Sequence, residues 1–195
     1  LLELPVAQRS VIQLDYTHFT VLLDPERRLA AATAVNIAGA ELVDVKPGNT
    51  WRLDKRVSEE EQAGPELYAK NDLDRGHLVR RRDPAWGDEA KQANVDTFNY
   101  TNAAPRVAAF NHSKGLWVGL EDHVLEHSGA SQRRLSVFTG PVFRADDGLY
   151  RGVRIPRMFW KVAAWTVLAG DTESLRAAGF VLDQSPLLAD IDLRE

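Results

Sequence analysis

The stretch "DLDRGHLVRRRDP", residues 72–84, decides how this chain is read. It sets Arg75, Arg80, Arg81 and Arg82 around one histidine, His77, directly after Gly76. The whole chain of 195 residues carries a formal net charge of -4. A basic cluster inside an acidic protein is a local field rather than a general affinity for polyanions. Arg52, Lys55 and Arg56 lie upstream of it, and Arg144, Arg151, Arg154 and Arg157 downstream. Charge alone favours a solvated surface, offset by the acids of "SEEE" and "ADD".

Outward from this stretch, the length and a hydrophobic content of 44% suit one sizeable core, so we expect a single domain over 1–195, excised from a longer chain or lacking a closing C-terminal element. There is no cysteine. Disulfides and thiolate metal sites are therefore excluded, and any metal must be held by oxygen or nitrogen. No apolar run approaches the roughly 20 residues that span a bilayer. The opening "LLELPVAQRS" lacks the basic and long apolar regions of a signal peptide. These features imply a soluble protein without a membrane partner and leave its compartment open.

Periodicity predicts an α+β fold with a largely antiparallel sheet. "DYTHFTVLLD" reads as one strand, "DPERR" as a turn, "LAAATAVNIAG" as a returning strand and "AELVDV" as a third, short strand. An irregular stretch follows, punctuated by Pro47, Gly48, Gly64 and Pro65. "DPAWGDEAKQAN" predicts a turn and a short helix capped by Asp88. Leu116, Leu120 and Val124 recur at helical spacing up to Gly129. "RLSVFTGPVF" and "RMFWKVAAWTVLAG" predict two further strands, the second apolar on both faces and so central.

The polar residues of the middle third concentrate chemistry. "DRGH" at 74–77, "TNAAP" at 101–105, Asn111 and "WVGLED" at 117–122 offer a base, a cation, amides and a carboxylate in one ordered series. Together they resemble the DNA/RNA non-specific endonucleases, the ββα-metal or His-Me finger nucleases, with weaker likeness through "FTGPVF" and "IPRMFWKV". The resemblance implies a ββα-metal fold and a Mg2+-dependent hydrolase of DNA and RNA, with Mn2+ or another divalent cation as an alternative. It casts His77 as general base, Arg75 as phosphate and transition-state contact, and Asn102 as a positioning amide. Asn111 would be the direct metal ligand, and Glu121 would act on the metal through water. Arg80, Arg81 and Arg106 would hold substrate. Arg106 stands where the family pattern usually has glutamine, and the spacer from Asn111 to Trp117 is slightly long.

These roles suit the residue types. An imidazole with an ordinary pKa of about 6.5 can accept a proton from water. A neutral amide ligand leaves a magnesium ion its full charge, and guanidinium forks match phosphate oxygens. Two other readings stay open: a nucleic-acid-binding module with little or no catalysis, and a narrower phosphodiesterase. A homodimer, a fusion to other domains and an inhibitor protein are all compatible with the sequence. His18 falls on a predicted strand and ranks below His77, His123 and His127 are read as structural or surface groups, His112 is given no role, and Trp86 and Trp117 are read as core.

Overall fold

The computed structural model describes residues 10–46, 48–112, 134–170 and 172–189. Its main element is a six-stranded, wholly antiparallel sheet. The strands are β1 (Ile12–Tyr16), β2 (Phe19–Asp24), β3 (Leu29–Ala38), β6 (Arg134–Val142), β9 (Met158–Ala169) and β10 (Thr172–Asp183), in the order β1-β2-β3-β6-β9-β10. The α+β expectation holds, with a largely antiparallel sheet.

Alternation along these strands sends one set of side chains inward. Register carries that set across the sheet as rows, Val35 beside Val137 beside Ala163 and Ile37 beside Leu135 beside Trp165. Against this face lie Leu78, Val79, Ala104, Val107 and Phe110, closing one core with Leu14, Leu23 and Phe159. The second layer is built on a two-stranded ribbon of β4 (Leu73–His77) and β5 (Ala103–Val107). Short helices α1 (Ala90–Asp96) and α2 (Ala108–His112) flank it, and α3 (Ser185–Leu188) follows the last strand. A small hairpin of β7 (Leu149–Tyr150) and β8 (Val153–Arg154) covers a second cluster around Leu67, Leu73 and Ile155.

Several local expectations are corrected. "DYTHFTVLLD" is a hairpin rather than one strand, because Thr17 and His18 turn the chain and His18 takes a left-handed φ of 67°. "AELVDV" forms no strand: Gly39–Glu41 wind into a 3-10 turn, and Leu42 makes only an isolated bridge to Trp86. Helix α1 starts from Glu89 with no side-chain cap, so Asp88 does not cap it. β10 was not expected. It pairs with β9 through twelve register positions beyond the turn at Gly170. The helix expected around Leu116 to Val124 lies outside the described residues. Among the described residues no helix is long and apolar enough to cross a membrane.

Candidate active site

The ribbon places the site. Antiparallel register sets Asp74 opposite Arg106, Arg75 opposite Pro105, Gly76 opposite Ala104 and His77 opposite Ala103. Side chains alternate along β4, so Arg75 and His77 share one face while Asp74 and Gly76 share the other with Arg106.

On the first face His77 lies in an aromatic cradle. Its ring centroid is 4.6 Å from that of Trp51, and 4.9 Å from that of Phe98, which meets it edge-on. Nε2 is buried and has no hydrogen-bond partner. Burial, joined by the charges of Arg106, Arg81, Arg75 and Arg80 acting in the same direction, holds the imidazole pKa down at about 3. His77 is thus neutral throughout the ordinary pH range. Arg75 is exposed, with its guanidinium carbon 5.6 Å from the centroid of the Trp51 ring.

Trp51 is the site residue that the sequence reading missed. It belongs to the irregular stretch, yet its surroundings are closely tied. The Arg52 backbone bonds to Phe98 and Tyr100, and its side chain reaches Asp96 at 3.1 Å. Buried Asp54 accepts from Tyr16 Oη and from Arg56 at 2.6 Å, and its backbone is held on both sides by the Gln62 amide. Burial opposes ionisation of Asp54, but the bonds from Arg56 and Tyr16 prevail and hold its carboxyl down at about 2. One sequence signal pointed here: a tryptophan interleaved with Arg52, Lys55 and Arg56. The polar groove of about 830 Å3 lined by Tyr16, Asp54 and Arg56 does not include Trp51, Arg75 or His77, so this groove is not where the chemistry groups gather.

The second face holds Asn111, carried in by α2. Its Oδ1 accepts from Arg106 Nη1 at 3.5 Å, and its Nδ2 donates to Asp74 at 3.4 Å. Arg106 is 0% exposed. Its stem crosses Gly76, where an added Cβ would lie 2.4 Å from Arg106 Cδ. Its guanidinium lies 4.8 Å from the Phe159 ring centroid. The expectation of a substrate contact at Arg106 is therefore corrected: a fully buried guanidinium is not on the surface that a phosphate reaches.

Asn102 is also fully buried, and both its amide hydrogens are used, on Val79 O at 2.9 Å and Thr97 O at 3.0 Å. Its Oδ1 accepts from Val79 N, and its backbone carbonyl accepts from Leu78 N. It staples the chain just after His77 to the segment before β5. Arg80 and Arg81 follow on that stapled turn, half-buried, with Arg81 Nη1 on Val45 O at 3.2 Å. Glu121, His123, His127 and Trp117 lie outside the described residues. His18 stacks on Trp86 at 3.5 Å, and its Nδ1 lies 2.8 Å from Pro84 O, so its partners are structural. Trp86 is only half-buried and donates to Asn36 O.

Among the described residues no cluster of three or more His, Asp or Glu side chains could hold a metal. One amide oxygen with a carboxylate beside it still suits a hard ion that keeps most of its waters. It does not suit zinc, which takes several nitrogen or sulfur ligands.

The fold is shared with a solved complex of EndoG with EndoGI, concerned with the mechanism of EndoG inhibition. The TM-score is 0.70 at 18% identity, over 88% of this chain and 73% of that one. The chain is 46% identical over 189 residues to "Uncharacterized protein y4fB" of Sinorhizobium fredii (strain NBRC 101917 / NGR234). That alignment covers 91% of this chain but only 28% of the relative, so the chain spans little more than a quarter of the relative's length. A family model for DNA/RNA non-specific endonucleases matches residues 3–195, and with the DRGH ribbon and the EndoG-like fold in place, the chain belongs to the DNA/RNA non-specific endonuclease family.

Proposed function

We propose that this chain hydrolyses phosphodiester bonds of DNA and RNA with little sequence preference, assisted by a divalent cation, Mg2+ by preference. The observation that carries this reading is His77: a neutral imidazole whose buried Nε2 lies in an aromatic cradle, with the exposed guanidinium of Arg75 at the same Trp51 ring. A neutral ring nitrogen can take the proton of an attacking water as its oxygen bonds to phosphorus and the bond to the 3′ oxygen breaks. The products would carry 5′-phosphate ends. Arg75 holds the phosphate and the charge that develops on it, while Arg80 and Arg81 hold the flanking backbone. Asn102 keeps the turn after His77 in place. Asn111 would hold the cation by its amide oxygen, and Glu121 through water. When bound, that cation supplies positive charge for the phosphate and the departing oxygen.

Contacts to phosphate carry no sequence information, which supports weak specificity. By analogy with EndoG in its complex with EndoGI, an inhibitor protein is included among the proposed partners. The test is incubation of the purified chain with plasmid, single-stranded DNA and RNA, each with Mg2+ and with chelator. Cleavage of all three that chelator abolishes is the expected result. Cleavage unaffected by chelator overturns the metal assignment, and binding without cleavage would favour the binding-module reading.

A further inference from the structure

We infer that Tyr16, at the end of the sheet's first strand, is a positioning residue of the site: its hydroxyl fixes the segment that holds the turn after His77. This rests on the proposed role of His77 as base. Proton counting sets the direction of the bonds. Tyr16 Oη has one hydrogen and donates it to the buried carboxylate of Asp54, a group that only accepts. The Thr101 hydroxyl lies 2.7 Å from Tyr16 Oη, so Thr101 is the donor of that second bond. A directed chain results, from Thr101 through Tyr16 to Asp54, where Arg56 donates from the other side. Bonds in series polarise one another, and the ion pair at the end strengthens them.

Thr101 is 1% exposed and Asp54 6%, so a lost partner at either end is not readily replaced by water. Thr101 directly precedes Asn102, whose carbonyl accepts from Leu78 N and whose side chain pairs with both N and O of Val79. Leu78 and Val79 are the two residues after His77. Asp54 belongs to the segment that sets Trp51 against the His77 ring. One hydroxyl thus joins the edge of the sheet to both segments around the base. The hairpin makes other ties, Thr17 to Asp96 and Arg56 to Asp15 O, but neither bonds to Thr101. The Tyr16 ring is held without its hydroxyl, stacked on Phe19 at 4.7 Å and under the Arg56 guanidinium. Tyr16 lines the polar groove that excludes His77, so it acts through this chain of bonds and not by contact.

The experiment follows amide hydrogen exchange in the whole, isotope-labelled chain by nuclear magnetic resonance, beside cleavage kinetics. Tyr16→Phe removes the hydroxyl and keeps the ring. The amides of Leu78 and Val79 are expected to exchange about tenfold faster, the equivalent of one net hydrogen bond, while those of Val137 and Ala163 in the sheet stay unchanged. The kcat should fall about tenfold at constant KM, since a shifted base costs rate and the phosphate contacts remain. Thr101→Val cuts the same chain from its other end and should loosen the same amides, and the double variant should match Tyr16→Phe because one shared path is lost. Unchanged exchange at Leu78 and Val79, equal acceleration in the sheet, additive effects in the double variant, or an unchanged kcat each overturn the inference. Should Tyr16→Phe not fold, Thr101→Val decides by the same exchange and kcat readings. A wild-type chain that cleaves no substrate sinks the proposed function instead, and the exchange rates then judge the tie alone.

Discussion

The six-stranded sheet and the β4–β5 ribbon are both antiparallel, yet they divide the labour of the molecule. The sheet buries its inward rows of Val35, Val137 and Ile37 and contributes none of the proposed catalytic side chains. The ribbon has only five residues per strand, two of them charged in "DRGH", and it carries His77 and Arg75 on one face and Asp74 and Arg106 on the other. Removing an apolar side chain from the sheet should therefore cost stability, and removing one from the ribbon should cost chemistry.

The largest expected effect is on the ribbon. His77→Ala should lower the cleavage rate by about 10²- to 10⁴-fold, the range for losing a general base, with a circular dichroism spectrum and DNA affinity close to wild type. Near-normal turnover in a folded, nuclease-free preparation would break the division at its centre. The sheet counterpart is Ile37→Ala, at a fully buried position. It should destabilise the fold by about 2–5 kcal/mol, read as the shift of a urea midpoint, with the rate per folded molecule unchanged.

Gly76→Ala sharpens the comparison because it sits on the ribbon but acts by packing. The new methyl would meet Arg106 Cδ, and overpacking of this kind costs about 1–3 kcal/mol. Loss of cleavage without any loss of stability would show that this glycine serves the chemistry directly.

The smallest effect is a slope. The folded-state pKa of His77 lies below its unfolded value of about 6.5, so below that pH the unfolded chain binds the extra proton. The stability is present in full above pH 6.5 and declines as pH falls towards 3, by up to about 1.4 kcal/mol per pH unit. His77→Ala should flatten this decline in urea midpoints measured from pH 7 down to 4.5. The same depression means that the cleavage rate should show no acidic limb centred near pH 6.5. Such a limb would mean that substrate or metal restores an ordinary pKa to His77.

What could be read from the chain follows the same division. The strand β2 was legible because its apolar residues alternate as in a half-buried strand, β3 as its return after the turn at "DPERR", and β6 and β9 because β-branched and aromatic residues fill them. β4 and β5 were not, since a charged tetrad and "AAPRV" carry no such period and are held by register and by the core beneath them. β10 escaped because "TESLRAAGFVLD" is largely solvent-facing, leaving no buried stripe to find. In the site, His77, Arg75 and Asn111 were found through the motif. Arg106 was misplaced because charge argues for the surface, and nothing local in the sequence reveals that Gly76 opens a channel for it. Trp51 was missed because its position depends on Asp54, Tyr16 and Gln62, which meet only once the chain is folded.

One side chain ties the two regions together. Gln184, fully buried beyond the end of β10, accepts from Val107 N and donates to Pro105 O and Pro156 O. The ribbon's outer strand is therefore completed by a residue 77 positions later. On the ribosome, a growing chain displays "DRGH" long before it can lock the strand opposite. The order of synthesis thus places this last contact of the ribbon after translation of every strand of the sheet, since the bond between Gln184 and β5 cannot form until the chain has been read past β10.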